Sequence, residues 1–94
     1  MSIREFGVHG VEPTAGGATE VIGRCFRGPI MLGQAFTGLG RSAGHTDVRV
    51  HLTVVGIVAY GHHLSELDEG LTGRLTLEGL LPPDLADGSV LRLE

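Results

Sequence analysis

The sequence has no lysine, no asparagine and no tryptophan, and its single cysteine is Cys25 among 94 residues. One cysteine excludes an intramolecular disulfide and a zinc site built from several cysteines. The absence of lysine excludes the phosphate-binding P-loop, whose motif requires that residue. No apolar run reaches the roughly 18 residues that a membrane span needs, and no secretory signal pattern is visible. These absences favour a small cytoplasmic protein without a membrane partner.

Negative charge predominates in the sequence. Seven arginines oppose eleven carboxylates, which gives a formal net charge of −4. Proteins that bind nucleic acid unaided usually carry a basic patch, whereas these arginines are spread along the chain without a cluster. The charge balance therefore argues against nucleic acid as a partner.

Glycine is abundant, with 16 residues and no collagen-like period, which indicates turns in a strand-rich fold. The clearest strand signal is the alternation of apolar and polar side chains over residues 48–54. Apolar residues continue beyond Gly56 with a changed phase, which predicts a β-bulge at that glycine. A half-buried strand with a bulge is typical of a barrel wall or of a sandwich.

Five further strands are predicted, and turn residues separate them. These strands cover residues 3–12, 19–26, 30–37 with a break at Gly33, 71–78 and 90–93. Between the strands we expect a loop at Gly38–His45, one helical turn starting at Ser65, and turns at residues 13–17, 27–29 and 81–88. A closed barrel or a sandwich would fit this order, and closure has the advantage that it removes exposed strand edges.

Two stretches of the sequence resemble one family. Residues 21–33, VIGRCFRGPIMLG, are similar to the V-x-G-R-V-x-R-G-x-I-x-x-G segment in the second domain of elongation factor Tu and related translational GTPases. Residues 67–73, LDEGLTG, with the apolar residues and glycines that follow, look like the L-D-E-G-x-x-G ending of that domain. The resemblance covers about residues 3–94. It implies an all-β fold, a small closed six-stranded antiparallel barrel, with residues 1–94 as a single domain.

The sequence departs from this family where the elongation factor binds its ligands. These 94 residues contain no P-loop, so we expect no GTPase domain in them. Val58 falls where the elongation factor has a glutamate that helps bind the terminal adenosine of aminoacyl-tRNA. The interpretation that remains is a non-catalytic binding module, a stand-alone barrel that acts as an accessory subunit in protein–protein interaction. The alternatives are an RNA- or nucleotide-end-binding protein related to translation, and a small enzyme with an unrecognised site.

No residue pattern predicts a catalytic centre, a metal site or a cofactor. The histidines are either adjacent in sequence, as His62 and His63 are, or scattered, and zinc needs three or four converging ligands. Cys25 shares the periodicity of Val21 and Gly23, so we expect it to face the core as an inert buried thiol. The expectation is therefore a protein that is not an enzyme.

The candidate binding surface lies on the second strand and on the loop before the 71–78 strand. If the face of Cys25 fills the barrel, the alternate residues of its strand point outward. Apolar side chains beside arginine are typical of interface centres. We therefore predict that a protein partner, or a second copy of the chain, contacts Ile22, Arg24, Phe26, Arg27, Glu66, Asp68 and Glu69, with the three carboxylates at the rim.

Overall fold

The computed structural model describes residues 3–14, 16–41, 48–83 and 85–93. Regular structure in these ranges is entirely β. The strands are β1 Arg4–Pro13, β2 Thr19–Arg27, β3 Ile30–Met31, β4 Ala35–Gly40, β5 Val48–Ala59, β6 His62–His63, β7 Glu66–Leu67, β8 Thr72–Glu78 and β9 Val90–Leu93. Nothing in the described ranges is a helix with the length and apolarity that a membrane crossing requires.

Six of the strands close into a barrel. Their order around the wall is β1, β2, β8, β5, β4, β9 and back to β1, and every neighbouring pair is antiparallel. The prediction of an all-β, closed six-stranded antiparallel barrel is therefore confirmed. Strand β6 extends the wall beside the end of β5, and β3 pairs with β7 in a separate two-stranded sheet.

The interior of the barrel is filled by side chains. Phe6, Phe36, Leu52, Leu75 and Leu91 are among its completely or almost completely buried residues, and they belong to one continuous core. A barrel this narrow has room for side chains and none for a ligand. Any recognition surface must therefore lie on the outer wall or at the two ends.

The bulge predicted at Gly56 is confirmed. The pairing of β5 with β8 shifts register between Val54 and Gly56, so that Val55 is the additional residue. Val54 stays in the core, whereas Val55 points outward and is well exposed. The break predicted at Gly33 is also confirmed, because a turn there divides β3 from β4 and the glycine has a φ of +87°.

The predicted loop at Gly38–His45 is wrong in its first part. Strand β4 continues to Gly40, because the apolar side chain of Leu39 is buried in the core opposite Leu91. Residues 42–45 of that prediction lie outside the described part of the chain. Ala15 in the predicted 13–17 turn and Asp84 in the predicted 81–88 turn lie outside it as well.

The helical turn predicted from Ser65 is also wrong. The connection between β5 and β8 is extended, and it contains β6 and β7. Its backbone bonds to neighbouring strands instead of to itself: the Leu64 N–H donates to the Ile57 carbonyl at 2.9 Å, and Leu67 pairs with Ile30. Burial of Leu67 in the core fixes this extended path.

One end of the barrel gathers most of the predicted site. Here β2 and β5 end, while β4 and β8 begin, so the connections 28–34 and 60–71 lie side by side. We call this end, formed by residues 28–34 and 60–71, the lower rim. The opposite end carries the turns that follow β1 and β8.

Candidate protein-docking site

Strand β2 has the two faces that the sequence predicts. Val21 and Cys25 are completely buried, whereas Arg24 and Phe26 are exposed on the outer wall. Ile22 shares the outer face and is half-buried between Gly10 of β1 and Arg74 of β8. The inward orientation of Cys25 is therefore confirmed.

Phe26 lies on the outer wall and packs against Gly7 of β1. The β1–β2 register shifts between Glu5 and Phe6, so Phe26 is the additional residue of a bulge in β2. A Cβ atom on Gly7 would lie 2.2 Å from the Cζ atom of the Phe26 ring, so the ring rests directly on glycine backbone. The side chain is still 40% exposed, which leaves part of the ring available for contact.

An open depression of about 320 Å³ lies beside this ring, and it is lined by Arg24, Cys25, Phe26, Glu69 and Gly70. Two hydrogen bonds fix its walls. The Arg24 Nε donates to the Gly70 carbonyl at 3.1 Å, and the Gly28 N–H donates to Glu69 Oε1 at 3.3 Å. The depression, which we call the β2 pocket, is thus held between β2 and the connection 60–71.

Gly28 allows the connection 60–71 to close against the end of β2. A Cβ atom on Gly28 would lie 2.7 Å from Cys25 Sγ and 3.1 Å from the Glu69 backbone nitrogen. Real Cβ atoms do not come that close to other atoms, so this position requires glycine. The glycine of the Arg-Gly pair in the 21–33 motif therefore serves the geometry of the pocket.

The structure brings three of the seven predicted contact residues together, namely Arg24, Phe26 and Glu69. Asp68 is exposed next to Glu69, and Glu66 is exposed in β7 opposite Met31.

The other two predicted residues lie apart from the pocket. The Arg27 Nε is 3.5 Å from the Glu5 carboxylate on the β1 side, and Ile22 lies farther up the wall.

Two exposed apolar residues of the lower rim were missed by the sequence interpretation. Met31 and Leu32 were predicted to lie in the 30–37 strand, just before its break at Gly33, and both are more than 40% exposed. The Leu32 N–H donates to the Ser65 carbonyl at 3.1 Å, which fixes this turn against the connection 60–71. The only sign of this exposed pair in the sequence is its position directly before the turn residue Gly33.

The thiol in the pocket wall is protonated at neutral pH. Burial raises the pKa of Cys25 from 9.0 to about 11, and the negative charge of Glu69 adds to the rise. A backbone hydrogen bond with Ile30 lowers the pKa and only partly offsets these effects. A thiol with a raised pKa is a weak nucleophile, because the thiolate is the reactive form.

We expect Cys25 to react with a thiol reagent at pH 8 about a hundredfold more slowly in the folded protein than in the denatured one. Stability should also fall as the pH rises from 9.0 to about 11, because only the unfolded thiol has lost its proton there. Labelling kinetics with and without denaturant check the first effect, and chemical unfolding across this pH window checks the second. Rapid labelling of the folded protein would contradict the buried assignment.

Metal ligands do not converge in the part of the chain that the structure describes. No group of three or more histidine, cysteine, aspartate or glutamate side chains is placed to hold an ion there. His62 and His63 are exposed on β6. The exposed groups of the pocket are an aromatic ring, a guanidinium group and a carboxylate, which are groups suited to recognition.

Comparison with known proteins finds similarity at the level of structure. No family model matches the sequence. No curated protein matches it either. Two structures of translation elongation factor SelB from Methanococcus maripaludis, one in the apo form and one in complex with the GTP analogue GPPNHP, match 97% of this chain with a TM-score of 0.79 and 16% sequence identity.

The matched region is 19% of each SelB chain, so the likeness concerns one part of a much longer protein. The strand order and closure described above agree with this likeness. The chain therefore has the fold of a translation-elongation-factor β-barrel, as its two sequence motifs predicted.

Proposed function

We propose that residues 1–94 act in the cytoplasm as a non-catalytic module that binds another protein through the lower rim and the β2 pocket. The observation that carries this proposal is the exposed Phe26 ring beside Arg24 and Glu69, at an open pocket on a barrel whose interior is full. Aromatic residues and arginine are the side chains on which protein interfaces concentrate their binding energy.

The shape and surroundings of the pocket support a protein partner. Small-molecule sites usually enclose most of their ligand, whereas this depression is open to solvent. Met31 and Leu32 extend the exposed apolar surface next to it. A shallow anchor pocket beside an apolar turn is typical of a docking surface.

The pocket also supports binding without catalysis. Nucleophilic catalysis by cysteine requires a thiolate, and the raised pKa of Cys25 opposes its formation. The carboxylate of Glu69 is partly occupied by the Gly28 N–H and serves to position the loop.

The elongation-factor fold favours a second candidate, the binding of an RNA end on the outer wall. Against it, Arg74 on that wall is paired with Glu20 at 3.2 Å, and half-buried Val58 beside it offers no polar group. A mobility shift with tRNA that weakens with salt would favour this candidate. We expect no such shift at physiological salt, because the acidic chain repels phosphate.

Photo-crosslinking in the cells that produce the protein tests the docking surface. A crosslinking residue in place of Leu32, 44% exposed in the lower rim, is expected to trap one defined protein. The matched control is the same residue in place of Leu80, which is exposed beyond the end of β8 at the opposite end. Equal trapping at both positions, or adducts with RNA alone, would contradict the proposal.

We expect Phe26→Ser to weaken association with the trapped protein by about 1–3 kcal/mol while the barrel stays folded. The ring rests on Gly7 on the outer wall, and Phe26 is not one of the buried core residues, so we expect its loss to leave the interior intact. Leu80→Ser is the matched control and should bind normally. Binding measurements with circular dichroism of each variant separate lost contact from lost fold. Unchanged binding by folded Phe26→Ser would place the interface elsewhere.

A further inference from the structure

From the charges of the lower rim we infer that the partner presents a basic segment of protein chain, in which arginine or lysine residues are interspersed with apolar ones. This inference rests on the proposed function and specifies the chemistry of the partner. At this end the arginines have acceptors on the barrel itself, whereas the carboxylates have no neighbouring cation among the described residues. The inference follows from this difference.

The arginines of this region are held by acceptors of the barrel itself. Arg4 donates from its Nε to the Pro29 carbonyl, and Arg24 donates to the Gly70 carbonyl. Arg27 lies 3.5 Å from the Glu5 carboxylate. Each of these arginines therefore has an acceptor on the barrel, while the side chains of Arg24 and Arg27 stay exposed.

The carboxylates of the region, in contrast, have no neighbouring cation among the described residues. Glu66, Asp68 and Glu69 are all exposed, and none of them has a cationic group within 4.0 Å among the residues that the structure describes. Glu69 accepts from the Gly28 N–H with Oε1, and within the described ranges its Oε2 takes part in no hydrogen bond or ion pair. The negative charges of Glu69 and Asp68 also raise the pKa of Cys25 beside the pocket.

Apolar groups lie directly beside these carboxylates. Met31 is the cross-strand partner of Glu66, so an exposed apolar side chain and an exposed acidic one are neighbours. Phe26 and Glu69 both line the pocket. A guanidinium or ammonium group of the partner can lie over the Phe26 ring while its charge faces Glu69, since aromatic faces attract cations. Its aliphatic stem would then cover apolar surface.

The same charges disfavour two other occupants. In a two-fold dimer of the chain, the same surface of both copies would be in contact. The carboxylates of one copy would then face and repel those of the other. Nucleic acid would bring its phosphates against the same three carboxylates. A basic protein segment is attracted by these carboxylates, whereas a second copy of the chain and nucleic acid are both repelled by them.

The test uses the full chain and a synthetic peptide made of arginine, leucine and glycine. Amide NMR shifts are expected to concentrate in the lower rim and around Phe26. We expect the double variant Asp68→Asn with Glu69→Gln to bind the peptide about three- to tenfold more weakly. The Gln side chain keeps an oxygen for the Gly28 N–H, so the loop retains its anchor.

The matched control removes the same charge from the opposite end. Glu12→Gln with Asp87→Asn changes two exposed carboxylates there and should alter peptide affinity less than about twofold, since screening weakens distant charges. Equal weakening by both pairs would show that net charge alone attracts the peptide, and would overturn the inference. Shifts centred on another face, or a dimer that forms through the lower rim in sedimentation, would overturn it as well.

The crosslinked complex separates this inference from the proposed function. If trapping at Leu32 depends on Phe26 but is unchanged in the Asp68→Asn, Glu69→Gln variant, the docking surface stands and the basic partner is wrong. If no protein is trapped at Leu32, the proposed function itself fails.

Discussion

Gly23→Ala is expected to destabilise the barrel by about 3 kcal/mol and to lower its melting temperature by more than about 10 °C. A Cβ atom at this position would lie 1.9 Å from the Gly7 carbonyl oxygen and 3.0 Å from the Phe6 ring. The first of these atoms belongs to the backbone of β1, so no rotamer change relieves the clash. Strand β1 must move away from β2, and the packing around Phe6 must follow.

Gly10→Ala is the matched control for this variant. Gly10 lies in the same β1–β2 ladder, opposite Ile22, yet an added Cβ there meets nothing within 4 Å. Stability should change by less than about 1 kcal/mol, because alanine mainly restricts the unfolded chain. Thermal or urea unfolding of both variants measures the difference. Equal stabilities would mean that β1 and β2 do not approach as closely at Gly23 as described.

Glu5→Ala is expected to lower the free energy of unfolding by about 3 kcal/mol, an effect as large as that of Gly23→Ala. The Glu5 side chain is almost wholly buried, with Arg27 at 3.5 Å and Arg92 at 3.8 Å from its two oxygens. The Arg92 side chain is itself only 15% exposed. Removing the carboxylate takes a counter-charge away from this guanidinium in a poorly hydrated position, where such a loss is costly.

Glu20→Ala provides the comparison for the buried carboxylate. Glu20 pairs with Arg74 at the shorter distance of 3.2 Å, but both side chains are partly exposed. Its removal should cost less than about 1 kcal/mol, because water solvates the arginine that remains. Unfolding in urea compares the two variants at one pH and salt concentration. If Glu20→Ala proves the more damaging of the two, distance and not burial would determine the strength of these pairs.

Features encoded by short-range periodicity were predictable from the sequence. The alternation in β5 predicted its buried and exposed faces, and the change of phase at Gly56 predicted the bulge. The same reasoning placed Cys25 inside the barrel. These features depend on which face of one strand is apolar, and a single stretch of sequence contains that information.

Features that depend on pairing between distant residues were not predictable in this way. The packing of the Phe26 ring on Gly7 depends on the register of β1 against β2, and so does the burial of Glu5. The extended path around Glu66 was mistaken for a helical turn, since only the contact of β7 with β3 distinguishes the two. The contact residues of the docking surface remain a prediction, because they depend on a second molecule.

The pairing of β1 with β9 has a practical consequence for tagging and fusion. Arg4 and Leu93 are direct antiparallel partners, so their Cα atoms lie about 5 Å apart at the end of the barrel that holds the lower rim. A label attached close to Arg4 or Leu93 therefore begins next to the proposed docking surface and can shield it. Labels for interaction experiments belong instead in the turn between β8 and β9, at the far end, where exposed Leu80 offers a site.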